Sequence, residues 1–486
     1  MCLKKGDRVY FVGIKGTGMC ALAELMYSQG ISVSGSDTRE VFYTDTILKE
    51  LKIPYFESFD ASHIENVNLL VYSAAYSAGT NPEIAEAEKK AIPVLKYTDA
   101  LGLYSAAFDS AGIAGVHGKT TTTALAGALL RGVEVPAQIL AGSAVSSFGN
   151  RSTLCMGNKY FVAETCEYRK HFLSFHPQRI LLTSVESDHQ DYFPEYEDIR
   201  EAFMEYGRLL PDNGELIYCA DDPGASEVAL ALKKEKPGII AVPYGFSAQG
   251  AFGIEAFQVR DERIIMRLRS FPGELKIRIP GRHTALDAAG AIALSSILVK
   301  KEFGSENSDG WNEERREGLR KALEEFSGSK RRSEIVGEAG GILFMDDYAH
   351  HPTAIKTTLA GLKEFYPQRR LVLSFMSHTF SRTEALLDEF AASFAGADLI
   401  LLHKIYASAR ESYTGGVSGR TLFEKTNETL GRSVQIFYTE EPEEAFDLMK
   451  GILKSGDLFI TMGAGDNWKL GEKLYSFCRE YKGGFE

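Results

Sequence analysis

The stretch "GIAGVHGKTTTTALAGALL", from Gly112 to Leu130, carries the residues best suited to chemistry. A short apolar approach leads into glycines, Lys119 and four threonines, Thr120 to Thr123, and then an Ala/Leu run with Leu125, Ala128 and Leu129 on one helical face. A helix N-terminus offers unpaired N–H groups and partial positive charge, so it attracts phosphate. Gly115 and Gly118 let the backbone approach a ligand closely, Lys119 can reach terminal phosphates, and the Thr120 hydroxyl can ligate Mg²⁺. Threonine is a poor helix former, so helix propensity does not account for four in a row. The usual cradle of Gly, four residues and Gly-Lys-Ser/Thr fails by one position, because residue 113 is Ile113. The pattern suits an ATP site of a different make, set against a plain strand–turn–helix with an exposed lysine.

Acidic groups stand where such a site would need them. "FVAETCEYRKHFL" places Glu164 at the end of a buried strand with Glu167 three residues later. The next strand ends in "SVESDHQDYF", which packs Glu186, Asp188, His189 and Asp191 into six residues. Ligands of open α/β sheets collect at such strand ends, and Mg²⁺ takes hard oxygen ligands there together with phosphate. "FMDDYAHHPTAI" sets Asp346, Asp347, His350 and His351 after a further strand. Paired histidines can bind zinc, cap the helix that starts at Pro352, or hold ribose or substrate. "SFMSHTFSRT" adds His378 and Arg382, the latter a natural fork for carboxylate or phosphate. Near the N-terminus "FVGIKGTGM" (Gly13, Gly16, Gly18) and "SGSD" (Ser36, Asp37) form an imperfect dinucleotide fingerprint, with Lys15 at its middle glycine. That loop suits a nucleotide diphosphate at a helix head, with Lys15 adding charge.

The elements that must carry these groups alternate. "RVYFVGI", "ISVSGSD" and "NLLVYSAA" are strands of a first parallel sheet, and "ALAELMYSQG" is a helix closed by Gly30. "KYFVAET" and "RILLTSV" are buried strands of a second block, in which "ERIIMRLRS" and "ELKIRIPG" nearly alternate apolar and charged residues as half-buried antiparallel strands do. "TALDAAGAIALSSILVKKE" is a helix, and "GSENSDGWNEERREG" an exposed loop before another. "GILFMDD", "RLVLSFMSH", "ADLILLHKIY", "SVQIFYTE" and "GDLFITMGAGD" are strands of a third block. The fold class is therefore α/β with three domains. Rossmann-like domains at 1–108 and 331–486 flank a central P-loop-type domain at 109–330 that carries a small antiparallel sheet. A chain of 486 residues accommodates roughly that number.

With 44% hydrophobic and 25% charged residues the chain is ordinary globular material. A net charge of −12 gives no basic footprint for nucleic acid, so anions must be held by local cations and backbone. Six scattered cysteines, without CxxC spacing, suit reduced thiols rather than a disulfide framework or zinc site. No signal-peptide core or long apolar run is present, and a cytoplasmic protein that does not engage membranes is expected.

Taken in order along the whole chain, these stretches resemble the Mur ligases. The resemblance rests on "VGIKGTGMCALAE", "VSGSD", "VYSAAY…NPEI", "GVHGKTTTT", "VAETCEYRKHFL", "ESDHQDYF", "PGRHTALDAAGAIA", "SGSKRRSEI", "DDYAHHPTAI", "SHTFSRT" and "GAGD". The family's cradle, G-T-x-G-K-T, is shorter than the common one, so Gly115 becomes its first glycine, with Val116 the one mismatch.

The resemblance implies a two-step ligation by a monomer or homodimer. The lactyl carboxylate of UDP-N-acetylmuramate attacks ATP to give an acyl phosphate, and L-alanine then displaces phosphate. Gly13, Lys15, Gly16, Thr17, Gly18, Ser36, Asp37 and Ser73 would bind the UDP-sugar. Gly115, Val116, His117, Gly118, Lys119, Thr120, Thr121, His283, Asp346, Asp347, His350 and His351 would bind ATP. Thr120, Glu164 and His189 would serve Mg²⁺, and His378 and Arg382 the amino acid. Lys119, Glu164, His189 and Arg382 would be catalytic. The family's acid and histidine stand 25 residues apart, as Glu164 and His189 do, which favours Glu164 over Glu167. There are departures: Thr183-Ser184 for T-N, "GRHTALD" with Thr284 and Asp287 for G-x-H-N-x-x-N, "TCEYR" for A-D-E-S-D, and His378-Thr379 for H-R. Sister ligases using glycine, serine or a murein peptide, and a nucleotide-binding regulator without activity, are the alternatives.

Overall fold

The computed structural model describes residues 3–189, 192–304, 309–407, 416–431 and 434–480; Asp191 and part of the loop expected near 305 lie outside them. The chain forms two compact units. One comprises Met1–Glu186, Tyr196–Gly253 and Asp287–Leu323, the other Ser187–Glu195, Ile254–Leu286 and Glu324–Glu486.

The first unit holds two sheets. Five parallel strands run in the order Tyr55–Phe56, Ser32–Ser36, Arg8–Val12, Leu69–Tyr72, Val94–Lys96. The chain leaves Arg8–Val12 toward one side and later returns on the other, so a crevice opens beyond that strand's C-terminal end. The loop Gly13–Gly16 fills this position and heads the helix Thr17–Ser28. Tyr10, Phe11, Val12, Leu69, Leu70 and Val71 are buried, as continuous apolar runs are in strands covered on both faces.

The second sheet runs Ile240–Gly245, Glu215–Cys219, Arg179–Leu182, Asp109–Ala114, Tyr160–Glu164, Ala137–Val145. These strands are parallel, and Arg151–Cys155 closes the edge as an antiparallel partner of Ala137–Val145. Asp109–Ala114 is central, flanked by the strands that end at Glu164 and Leu182. That topology places the end of the phosphate loop between "ET" and "TS". The helix Lys119–Gly132 follows Gly118 and packs on the sheet through Gly127, where an added Cβ would meet Phe148 at 2.5 Å.

The first two residues of Phe252–Val259 pair in parallel with Tyr244–Gly245. The rest of that strand opens, in the second unit, an antiparallel meander with Ile264–Leu268 and Phe271–Ile277. The second unit's main sheet runs Glu334–Ala339, Ile342–Asp347, Asp457–Gly463, Arg370–Met376, Leu399–Leu402, Gln435–Tyr438. It is parallel except for Glu334–Ala339. Among the described residues no helix is long and apolar enough to cross a membrane.

Candidate active site

In the first unit the phosphate loop is built by its own glycines. Gly115 and Gly118 have φ of +139° and +79°, a backbone that side chains disfavour. A Cβ on Gly115 would lie 2.0 Å from the Thr183 hydroxyl, and one on Gly118 2.5 Å from Asp287 Oδ1. Ser184 fixes the loop's middle: its carbonyl accepts from Val116 N–H at 3.0 Å and its hydroxyl from His117 N–H at 2.9 Å. His117 Nε2 lies 2.6 Å from Glu186 Oε1. No side chain caps the helix Lys119–Gly132, so its leading N–H groups stay available to an anion. Thr121 is half-buried in that first turn, and Thr123 donates back to the Lys119 carbonyl at 2.8 Å.

The Lys119 ammonium folds over this loop. It donates to the Gly115 carbonyl and lies 2.9 Å from Glu167 Oε2. Burial alone would lower its pKa, but the Glu167 carboxylate foremost, with Glu164, raises it above the ordinary lysine value. Thr120 Oγ1 donates to Glu164 Oε1 at 3.0 Å, and Gly142 N–H donates to Glu164 Oε2 at 2.6 Å. Two hard oxygens from a helix start and a strand end thus stand together. A hydroxyl and a carboxylate are oxygen donors of the kind Mg²⁺ takes, so the donor set fits that ion.

The N-terminal loop departs from expectation at Lys15. Its side chain is fully buried and its ammonium reaches Asp45 at 3.1 Å, Glu57 at 3.0 Å and the carbonyls of Thr38 and Glu40. Burial would strip its proton, and Glu57 and Asp45 reverse that. This charge ties the loop to residues 38–57. Asp37 takes the Lys15 N–H at 2.7 Å, and Ser36 donates to buried Glu83 at 2.5 Å. Gly13, at φ +84°, packs under Tyr76. Gly16, Thr17, Gly18 and Ser73 line a cavity of about 590 Å³, whose other wall includes Glu164, Arg169 and His171.

In the second unit Arg382 is buried against Asp188. Its Nη2 and Nε reach Asp188 Oδ1 at 2.7 and 3.2 Å, while Nη1 is buried without a hydrogen-bond acceptor among the described residues. Burial would raise the Asp188 pKa, but the Arg382 guanidinium foremost holds it well below the carboxylate range. His189, at φ +56°, donates its N–H to Asp188 at 2.7 Å. His350 pairs Nδ1 with the Tyr348 carbonyl at 2.8 Å and packs edge-on to His378. Burial and then Arg382 keep its pKa well below the usual value.

Asp347 is committed to its own loop, accepting from Ser333 N–H at 2.6 Å and Ala349 N–H at 2.7 Å. Asp346 accepts from Arg331 Nε at 2.9 Å and Thr461 Oγ1 at 2.7 Å. His351 caps the helix Pro352–Phe365, the helix-capping alternative open in the sequence. His283 is half-buried at the start of Arg282–Phe303 and stacks its ring over Gly281. Arg331, which also donates to the Gly463 carbonyl at 2.7 Å, was not singled out from sequence, although "SGSKRRSEI" contains it.

Uncapped helix starts behind glycine loops on two parallel sheets define an α/β protein of the nucleotide-binding class. Comparison with known proteins narrows this class: the chain belongs to the Mur ligase family. Residues 8–109 match the Mur ligase family catalytic domain, 113–295 the Mur ligase middle domain and 331–465 the Mur ligase glutamate ligase domain. It is 50% identical to the UDP-N-acetylmuramate–L-alanine ligase of Treponema pallidum (strain Nichols), covering 98% of this chain and 97% of the relative. The enzyme of that name from Borreliella burgdorferi is 36% identical, with 96% and 98% covered. Among solved structures, the UDP-N-acetylmuramate–alanine ligase of Thermotoga maritima superposes with a TM-score of 0.71 at 24% identity, over 97% of this chain and 98% of that one. A murein peptide ligase of Psychrobacter arcticus gives 0.63 at 22% identity, over 98% and 100%. At these identities the structures support the fold.

Proposed function

We propose that this chain joins L-alanine to the lactyl carboxylate of UDP-N-acetylmuramate at the expense of ATP, a cytoplasmic step of peptidoglycan precursor synthesis. One observation carries the reading: a single cavity has the glycine loop Gly16–Met19 on one wall and Glu164, hydrogen-bonded to the phosphate-loop Thr120, on the other. A substrate with a diphosphate at one end and a carboxylate at the other suits such a cavity. Full-length identity to enzymes of that name supports the same substrates.

In this reading the loop Gly115–Thr121 cradles the ATP phosphates with its backbone N–H groups, and Lys119 exchanges Glu167 for phosphate oxygens. Thr120 and Glu164 would hold Mg²⁺, which offsets phosphate charge when bound. The substrate carboxylate attacks the γ-phosphorus and ADP leaves, giving an acyl phosphate. The L-alanine amine then adds to the acyl carbon, and collapse of the tetrahedral intermediate expels phosphate and a proton. Lys119 stabilises charge as it moves to the leaving oxygens. We assign His189 to the same phosphate charge and Arg382, whose Nη1 has no acceptor among the described residues, to the amino-acid carboxylate. His350, His378 and Asp346 support that side, and domains at 1–108, 109–330 and 331–486 are proposed to divide the three substrates.

The test is phosphate release from ATP, Mg²⁺ and UDP-N-acetylmuramate with L-alanine, L-serine, glycine or no amine. Release that depends on L-alanine is expected. Release with another amine would move the specificity, and tight ATP binding without any release would leave a nucleotide-binding regulator.

A further inference from the structure

The cavity contains a cation that the phosphate loop and glycine loop leave unexplained. Arg169 and Lys170 are consecutive non-glycine residues in left-handed backbone, at φ +52° and +57°, inside the short turn Tyr168–Ser174. Such a pair is costly and persists where its surroundings hold it. The turn sends its two charges apart. Lys170 is anchored to Glu205, with both carboxylate oxygens within 2.9 Å. Arg169 lines the cavity, is exposed, and lies over the ring of Tyr168, 5.5 Å from its centre. No described carboxylate pairs with it.

Its place defines the anion it fits. The glycine loop and Lys96, which is also without an ion pair among the described residues, belong to the wall built by the first sheet. A diphosphate is served there by backbone N–H groups and the uncapped helix Thr17–Ser28. Arg169 stands five residues after Glu164, on the wall beside the phosphate loop. Neighbouring Cys166 adds no charge, because burial and then Glu167 push its thiol up to about 12. An organic carboxylate arriving beside Glu164 and an ATP phosphate is repelled by both, and a guanidinium fork matches it in charge and shape.

We propose that Arg169 is a substrate-binding residue that pairs with the lactyl carboxylate of UDP-N-acetylmuramate and orients it for attack on ATP. This rests on the ligase reading above. The strained turn then serves to aim the guanidinium while Lys170 bolts the turn to the helix Tyr196–Arg208.

The experiment measures binding of UDP-N-acetylmuramate and of UDP-N-acetylglucosamine, which lacks the lactyl carboxylate, by calorimetry without ATP. The native protein, Arg169→Gln and Arg169→Asn are compared. Asparagine tolerates left-handed backbone, so Arg169→Asn should melt no lower than the native protein. Both variants should bind UDP-N-acetylmuramate roughly 10- to 100-fold more weakly, as expected for a lost charged hydrogen bond, and UDP-N-acetylglucosamine unchanged. Unchanged affinity for UDP-N-acetylmuramate would overturn the proposal. Equal losses for both ligands would also overturn it, placing Arg169 on the diphosphate. If the native protein neither favours UDP-N-acetylmuramate nor turns it over, the ligase reading falls and takes this proposal with it. A native protein that passes both tests, with variants that bind normally, refutes Arg169 alone.

Discussion

Glu167 Oε2 lies 2.9 Å from the Lys119 ammonium, so the phosphate-loop cation has a carboxylate partner before any nucleotide arrives. Both side chains are largely buried, which makes the pair matter more than a surface ion pair would. Nucleotide phosphates must compete with Glu167 for the same charge. Glu167→Gln should therefore lower the stability of the ligand-free protein by about 1–3 kcal/mol. ATP should then raise its melting temperature by more than it raises the native one, since less is given up on binding. Equal ATP-induced shifts in the two proteins would remove the competition.

Lys119→Ala deletes the charge itself. Loss of a preorganised cation aimed at transferring phosphate costs roughly 100-fold or more in turnover. Binding of UDP-N-acetylmuramate should persist, because the glycine loop that heads Thr17–Ser28 belongs to another sheet. Loss of both in a variant with a native melting curve would show that the two sites are one.

Gly118 has Asp287 beneath it, and the variants here are separable. Gly118→Ala puts a Cβ 2.5 Å from Asp287 Oδ1 at φ +79°, so both contact and backbone oppose it. Adding Asp287→Ala removes the contact and leaves the backbone cost of about 1–2 kcal/mol. The double variant should therefore regain part of the ATP affinity lost by Gly118→Ala. Identical ATP affinity of single and double variants would show that the backbone conformation alone is at fault. Asp287 also accepts from Thr122 at 3.1 Å, so Asp287→Ala by itself should cost stability.

The same loop shows what was legible in sequence. Gly115, Gly118, Lys119 and Thr120 could be read because each residue type has a narrow physical use: positive φ, positive charge, a hydroxyl at a helix start. Strands such as Asp109–Ala114 and Tyr160–Glu164 could be read from continuous apolar runs, and their ends located Glu164. The ion pairs of Lys15 were not legible, because a fingerprint gives position along the chain but not side-chain direction, and its partners Asp45 and Glu57 are 30 and 42 residues away. The backbone contacts of Asp347 and His351 were not legible in one dimension; in three, both accept from backbone N–H groups. Arg331 escaped notice because its partner Asp346 and the Gly463 carbonyl are distant in sequence.

Asp188 and Arg382 supply a double-variant test. Asp188→Asn leaves the buried guanidinium without its anion and should destabilise the protein by about 3–5 kcal/mol in urea unfolding. Replacing both, as Asp188→Leu with Arg382→Met, should recover much of that loss, because neither desolvated charge then remains. Amine-dependent phosphate release should be absent from the double variant if Arg382 binds the amino-acid carboxylate. Activity in the restored double variant would reduce the pair to a structural one.

His403 sets a pH dependence of stability that is independent of ligands. It is buried, with Nε2 2.9 Å from Ser374 Oγ and Nδ1 3.0 Å from Thr439 Oγ1. Burial pushes its pKa down to about 4, from an unfolded value near 6.5. Between those values the unfolded chain binds a proton that the folded one refuses, so stability rises with pH and is lost as pH falls from about 6.5 toward about 4. Fully developed, the loss from this group is about 3 kcal/mol. Buried His350, also held neutral, acts in the same direction. Urea unfolding of His403→Gln between pH 6 and 5 should therefore show a slope reduced by nearly one proton, at most about 1.4 kcal/mol per pH unit, and above pH 7.5 an unchanged slope. An unchanged slope in the lower range would mean that the folded protein admits the proton at His403, by opening that part of the sheet to water.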